Sequence, residues 1–369
     1  MPRPRRTTVL LATSIAIGAG PSACAHDSPA EPGQSVVDSI PDVGPPERIT
    51  LNRGKDAFPA FSPDGRSIWY SWERLDRSDR DLCLGRLPVG GGTRGDEICH
   101  QTPAANPDSV NWYAWPAPHP DGRRIAWFRL SGLRSATEGG RGEIVLAALA
   151  DLASQRDIRP LSIYPLQIAP GSALHFHVQP VSLRWANDST LIYLAVLVTA
   201  FSANGLAQDT FYSGRELGTL TLSGDSARHG FVVGTDSASG FSMGGGDTVY
   251  FTRNGDNRVY RTTLGGAPVD TVYDFGPAGI TRDPVYVNGV VYAIAGGDVN
   301  YVPYPNNVGY LQHDGGGALW RADTLAPMLV ENSHLWRHPT LSPDRTTLVL
   351  EGRDPVTLVT DLFLMRIEP

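Results

Sequence analysis

Two short runs of histidine are the first places to look for chemistry. His175 and His177 lie in LHFHVQP, and His334 and His338 lie in HLWRHP. A His-x-His pair on an extended segment puts both imidazoles on one side, which is half of a site for a divalent cation. His175, His177 and His338 could together serve a metal-dependent lyase or hydrolase acting on a sugar or lactone. The plainer alternative is that they line a wet channel or pack against neighbours such as Trp336. Gly240-Phe241-Ser242-Met243-Gly244 matches the G-x-S-x-G of a nucleophile elbow, which needs a strand before it and a helix after it. Here a Gly-Gly-Asp turn and the strand-like TVYFT follow, so Ser242 reads as a strand residue and not as a nucleophile. DRSDRD (76–81) lacks the ligand order of a calcium loop. The chain has no P-loop, dinucleotide fingerprint, H-E-x-x-H or C-x-x-C.

Binding has more candidates than catalysis. Arg184, Arg282 and Asp283 sit near the starts of strand-like segments and could face a central channel. Long connections are expected at 131–142, 199–215 and 296–317. The last holds YVPYPNNVGY, with Tyr301, Tyr304 and Tyr310 beside Pro303 and Pro305. Loops on a rigid scaffold commonly carry binding, and tyrosine offers a large apolar body with a hydroxyl. The candidate binding face is therefore His175, His177, Arg282, Asp283, Tyr301, Tyr304, Trp336 and His338. No cofactor is expected, apart from the divalent metal of the enzymatic alternative.

The elements that position these residues follow from composition and repetition. The chain has 369 residues, of which 40 are Gly and 30 Pro. So many breakers point to short strands and turns, not to long helices. With 41% hydrophobic residues, a large core is available. One column repeats along the chain, a turn ending in Asp or Asn followed by an apolar strand. It reads PAFSPDGRSIWYS (59–71), PAPHPDGRRIAWF (116–128), LRWANDSTLIYLA (183–195), SMGGGDTVYFT (242–252), DPVYVNGVVYAI (283–294) and PTLSPDRTTLVL (339–350). Pro presets φ, Asp bonds its own backbone and Gly takes positive φ, so these are turns with a mechanism. A second strand follows each: DLCLGRL, EIVLAAL, ELGTLTL, RVYRTTL, ALWRADT and DLFLMRI. EIVLAAL has helical propensity, but its place in the repeat makes it a strand. A third strand follows five of them: EICHQT (97–102), IRPLSIY (158–164), GFVVGT (230–235), DTVYDF (270–275) and MLVENS (328–333).

The sixth unit lacks this last strand, and Arg48 to Asn52 at the other end can supply it. Closure of that kind removes exposed edges. The sequence therefore predicts an all-β, six-bladed β-propeller over 47–369, with an N-terminal strand closing the last blade. FPAFSPDG, HPDGRRIAWF and HPTLSPD resemble the propeller repeats of the TolB-like, WD-repeat-like group. The resemblance covers 47–369 and is strongest in the first, second and sixth repeats. TolB has a further N-terminal α/β domain, for which 25–46 is too short. The repeats, with no catalytic constellation beside them, lead to the expectation of a protein- or peptide-binding scaffold without catalysis.

The first 23 residues read as an address. Arg3, Arg5 and Arg6 precede the apolar run 9–20 and then Pro21-Ser22-Ala23-Cys24, the order of a secretory signal. The run is too short to span a bilayer. Small residues before Cys24 resemble a lipobox, although Pro21 stands where Leu is preferred, and the resemblance implies acylation at Cys24. Ala25, in place of Asp, favours the outer membrane, with the domain facing the periplasm. Residues 24–46 form a Pro-rich tether. Loss of 1–23 would remove three arginines and no acid from a chain whose net charge is already −7, so nucleic acid is a poor partner. The expected partner is an envelope protein or peptide, the membrane being met only through the acyl anchor, and the chain is expected to be a monomer. Cys83 and Cys99 flank a Gly-rich turn and could bridge two neighbouring strands, as the periplasm permits, or be two small buried hydrophobes.

Overall fold

A computed structural model describes residues 45–74, 76, 81–101, 109–133, 141–158, 162–203, 206–276, 281–295, 318–322, 326–329, 335–354, 356–357 and 359–367. The elements of these residues are strands, and the fold is all-β. No helix among them is long and apolar enough to cross a membrane.

The chain opens with β1 (Glu47–Arg48). The first repeat is β2 (Asp56–Phe61), β3 (Ser67–Glu73), β4 (Asp81–Pro88) and the short β5 (Glu97–Ile98). The second is β6 (Ser109–Pro118), β7 (Arg124–Leu133), β8 (Arg141–Ala148) and β9 (Asp151–Ile158). Each is an antiparallel meander. The two are joined by a parallel bridge in which Asp81 pairs with Asn111 and Leu82 with Trp112, helped by the Asn111 amide donating to Asp81 at 2.9 Å. That bridge makes one eight-stranded sheet of them. The described strands therefore form five sheets, where the repeats predict six.

The next sheet has five strands: β10 (Ser162–Ala169), β11 (Ser172–Trp185), β12 (Thr190–Ala203), β13 (Leu206–Ser223) and β14 (Ser226–Phe231). Two four-stranded sheets follow. One is β15 (Ala238–Met243), β16 (Thr248–Arg253), β17 (Arg258–Thr263) and β18 (Asp270–Asp274). The other is β19 (Thr281–Val287), β20 (Val290–Ala295), β21 (Ala318–Arg321) and β22 (Ala326–Leu329). The last sheet is β23 (Leu335–Leu341), β24 (Thr347–Arg353) and β25 (Thr360–Arg366), with β1 on its far edge. There Glu47 pairs with Leu364 and Arg48 with Phe363. Ile49 N–H continues the ladder to Leu362 O at 2.8 Å.

The repeated turns work as their residues suggest. Ser62 Oγ donates to Asp64 at 2.5 Å, and the same carboxylate accepts Arg66 N–H at 3.1 Å. Ser342 and Asp344 repeat the arrangement with Thr346 N–H at 3.2 Å. The next residue takes left-handed φ, +68° at Gly65 and +62° at Arg345. Aromatic residues of the middle strands fill the space between sheets; Trp69, Trp127, Tyr193, Tyr292 and Phe251 are among the largest fully buried side chains. Gly352 leaves room for them: a Cβ there would sit 2.5 Å from the Phe363 ring and 3.0 Å from Trp336.

Three expectations about connections need correction. Residues 199–215 are not a long loop; apart from 204–205 they lie in β12 and β13, which stay paired out to Ala203 and Leu206. IRPLSIY is not one strand but the end of β9 and the start of β10, each in a different sheet. GFVVGT is displaced, since β14 ends at Phe231. In each case β-propensity named a strand correctly but could not fix where the chain changes sheets. EICHQT shortens to the two residues of β5. Cys83 and Cys99 are joined as a disulfide, with Cα atoms 4.6 Å apart.

Candidate functional site

Six strands, β2, β6, β11, β15, β19 and β23, meet around one small cavity. It is lined by Phe58 and Pro59 of β2, Trp115 of β6, Ser182 and Arg184 of β11, Phe241 of β15, Asp283 and Pro284 of β19, and His338 and Pro339 of β23. Every one of these strands has a register shift at this level: Ala57/Ala60, Ala114/Ala117, Val181/Arg184, Ala238/Gly240, Arg282/Val285 and Arg337/Thr340. The extra residue is held at positive φ in five of them, at Phe58 (56°), Trp115 (48°), Ser182 (55°), Asp283 (47°) and His338 (44°). Positive φ is uncommon outside glycine, and its cost, about 1–3 kcal/mol, is tolerated where the surroundings over-determine it. β-Bulges re-aim side chains, and here they turn one residue per strand toward the hub. The cavity holds about 20 Å³, room for one or two water molecules.

Around it, charged groups tie the strands together. Glu351 of β24 is fully buried. It accepts the Phe58 N–H at 2.5 Å and lies 2.7 Å from His338 Nδ1 and 3.4 Å from the Arg337 guanidinium. Burial opposes its charge, but His338, Arg337 and Lys55 more than offset this and hold the carboxyl at about 2. Lys55, the chain's single lysine, lies 5.3 Å from the Phe58 ring centre. Burial first, then the charge of Arg337, pushes its ammonium down to about 8. Arg184 reaches across to Thr340 Oγ1 at 3.2 Å, and that hydroxyl donates to Pro59 O at 2.9 Å. Burial lowers the Arg184 guanidinium to about 10, with Asp283 opposing the shift.

At the start of β2, Asp56 is fully buried and its two carboxylate oxygens accept from Asn52 Nδ2, at 2.9 and 2.8 Å. Burial pushes its carboxyl up to about 7, and the nearby Asp361 adds to the shift. An acid whose folded pKa is raised keeps its proton in the folded chain after the unfolded chain has lost it. Stability from this group is therefore fully present below about pH 4 and is lost as pH rises to about 7. Asp56→Asn should stabilise the protein at pH 8 by about 2 kcal/mol and hardly at all at pH 4. This is less than the roughly 4 kcal/mol of the full shift, because the amide retains one acceptor for Asn52. Urea unfolding at the two pH values measures it; a variant equally shifted at both would show that Asp56 does not titrate there.

A second cavity, of about 350 Å³, opens between β8–β9 and the β11–β13 turns. Leu146, Leu222 and Trp185 form its apolar wall, with Arg124, Arg156 and Asp188 at its rim. Trp185 is fixed by its indole N–H on Ala117 O at 2.8 Å and by the edge of the His119 ring. Its volume falls in the range of small-ligand and side-chain sites.

The sequence candidates divide as follows. His338, Asp283 and Arg184 line the hub. Arg282 is buried beside Asp283 and is not among the lining residues. Trp336, expected on the binding face, is a core residue, 3% exposed and edge-on to Phe363 at 5.2 Å. His175 and His177 do not precede the first strand but belong to β11, paired with Ala200 and Val198. At about 3.3 Å per residue, the His177 backbone is roughly 16 Å along the strand from Ser182. Among the described residues no three His, Cys, Asp or Glu side chains cluster as metal ligands. Tyr301, Tyr304, Tyr310, His334 and Cys24 lie outside the described residues. Ser242 lies within β15, opposite Tyr250, with a strand following and no helix. The sequence reading missed Glu351 and Lys55. The signals were an acid in the middle of the apolar TLVLEGR and the presence of one lysine among 31 basic residues.

No family model matches the chain, and no curated protein matches it. Its likeness is to solved structures, among them β-propellers of the TolB and WD40-repeat kinds. A luciferin-regenerating enzyme is 10% identical, with a TM-score of 0.47 over 88% of this chain and 96% of that one. The β-propeller domain of the Trilobed protease from Pyrococcus furiosus is 14% identical, with a TM-score of 0.44 over 85% and 96%. TolB from Acinetobacter baumannii is 14% identical, with a TM-score of 0.42 over 84% of this chain and 63% of its own, so the match leaves more than a third of that protein uncovered.

Proposed function

We propose that this chain is a six-bladed propeller, closed by β1 and tethered through Cys24 to the outer membrane, and that it binds an envelope protein or peptide without catalysing a reaction. The observation that carries the reading is the hub. Six strands converge on a cavity of about 20 Å³, and Glu351, His338, Arg184 and Thr340 are used there to bond one strand to another. A centre of that size and wiring suits a rigid support better than a substrate pocket. Surface features supply the places to bind: the long paired strands β12 and β13, and the cavity of about 350 Å³ beside Trp185. Six blades are favoured over five because the parallel bridge merging the first two repeats is only two residues long.

The second reading, a lyase or hydrolase, draws on the Glu351–His338 pair, since a buried carboxylate fixes an imidazole as catalytic pairs require.

Photo-crosslinking in intact envelope membranes tests the proposal. A photoreactive residue at Phe201, on the extended part of β12, and another at Arg124, on the rim of the larger cavity, should each give a discrete adduct with an envelope protein or peptide. No adduct from either position, with turnover of a lactone or uronide by the purified protein, would reverse the order of the two readings.

A further inference from the structure

We propose that the cavity of about 350 Å³ between β8–β9 and the β11–β13 turns takes the C-terminal end of a partner chain, with its terminal carboxylate on Arg156 and its last, apolar side chain against Trp185, Leu146 and Leu222. The proposal rests on the protein- or peptide-binding reading above and names what that cavity recognises.

The cavity is built by the repeat and by one departure from it. The third residue of the second strand is Trp69, Ile192, Tyr250, Tyr292 or Val349 in β3, β12, β16, β20 and β24, and it is Ala126 in β7. Ala126 pairs with Ala117, and the Ala117 carbonyl accepts the Trp185 indole N–H at 2.8 Å. Two small side chains thus seat a tryptophan that arrives from the facing sheet. The His119 ring meets it edge-on at 4.4 Å, and the Arg124 guanidinium lies 5.9 Å from its centre. The indole is fixed before any ligand arrives, which spares an ordering cost on binding. Trp185, Leu146 and Leu222 are partly buried side chains at the margin of the large core. The core between the two sheets therefore ends in an apolar wall, and the cavity begins there.

The charged groups differ between its two ends. Arg124 is matched by Asp121 at 3.0 Å and reaches the His119 ring, which in turn holds the Asp188 carbonyl at 2.9 Å. That end has the carboxylates of Asp121 and Asp188 against one guanidinium. Arg156 stands two strands away from Arg124, on β9. It donates to the carbonyls of Gly224, at 3.1 Å, and of Asp225, while the Asp225 residue itself is exposed. Among the described residues Arg156 bonds to no carboxylate. A guanidinium has more N–H donors than two carbonyls use, and a carboxylate is the partner its fork fits best. An apolar side chain with a carboxylate beside it describes the end of a polypeptide. A space of this size takes a chain end and one side chain, not a strand running through. Capture of a C-terminal carboxylate is a recurring mode of peptide recognition. Asp188 and Asp121 add a preference against an acidic residue in the position before the last.

Fluorescence polarisation with an N-terminally labelled peptide, Gly-Ser-Gly-Ser-Gly-Leu, tests this, the peptide being made as the free acid and as the C-terminal amide. The free acid should bind the purified protein about tenfold tighter than the amide. Arg156→Met should remove that difference, and Leu222→Glu should weaken the free acid about tenfold. The comparison of acid with amide needs no variant, so it decides the matter even if either substitution disturbs folding. Equal binding of acid and amide overturns the proposal, as does binding of neither. Displacement of the peptide by an equal concentration of octanoate, or equal binding of an amidated peptide with an internal glutamate, also overturns it, because the carboxylate recognised would not be that of a chain end. A photo-adduct from Arg124 together with equal binding of acid and amide would keep the binding role and strike only the terminal carboxylate.

Discussion

A chain that begins at Arg53 should aggregate, or melt several degrees below one that begins at Ala25. Among the described residues lost, Glu47, Arg48, Ile49 and Thr50 have partners in the last sheet, and Asn52 is the donor to the buried Asp56. Arg48 is 2.6 Å from Asp361, whose side chain is only 6% exposed. Thr50 Oγ1 accepts the Leu362 N–H at 2.8 Å, and Ile49 is buried among Val349, Leu362 and Leu364. Arg48 is itself 26% exposed, so losing its bond to Asp361 costs about 1–3 kcal/mol, and losing the burial of one isoleucine about 2 more. The cut also bares the edge of β25, a seven-residue strand rich in apolar side chains, which is a template for pairing between chains. Calorimetry and light scattering on the two forms give the answer; equal melting temperatures and a monomeric short form would refute closure by β1.

Glu351→Gln is the second large effect. The carboxylate is the only described acid in contact with Phe58 N–H, His338 and Arg337 together. Its neutralisation takes a counter-charge from the buried Arg337 and from the half-buried Lys55, at a cost of about 3 kcal/mol at pH 7. The dependence on pH identifies the cause. The folded carboxyl stands at about 2 against an ordinary 4.5. A depressed acid contributes stability that is fully present above about pH 4.5 and is lost as pH falls toward 2. Wild type and Glu351→Gln should therefore converge in urea midpoint as pH drops from 5 to 2. Parallel curves over that range would assign the loss to packing and not to charge. Asp56 acts in the opposite direction, losing stability as pH rises from about 4 to 7. The two buried carboxylates together place the most favourable region for the hub near pH 4–5.

Much of the fold was legible because its punctuation is chemical. Asp64, Asp121 and Asp344 announce turns whose side-chain bonds the structure contains, and the strands follow them by necessity. EIVLAAL shows the strength of the repeat, since it is strand in β8 despite its helical propensity. Sheet membership was less legible. The two residues that join β4 to β6 carry no special sequence mark, and β12 and β13 continue past 199 because polar and small residues pair as readily as apolar ones in an extended hairpin. The hub was half legible. Asp283-Pro284 and His338-Pro339 stood in the repeat, and so did Phe58-Pro59 and Trp115-Pro116. Their shared left-handed φ is a property of bulged registers, which periodicity does not record. Glu351 was hidden for another reason: its partners lie 293 and 13 positions away, and spacing arguments reach only a few residues along a strand.

The way the chain enters the domain also sets how it answers to force. A load on the N-terminal side arrives at Glu47 and is carried first by two paired residues, the Ile49 and Thr50 bonds to Leu362, and the Arg48–Asp361 contact. The seven-residue ladder between β24 and β25 lies behind them and is far longer. Under tension the short seam parts before the sheets do, so the last sheet yields at one defined place while the remaining meanders stay intact. The strand that edges the last sheet is at the same time its mechanical fuse.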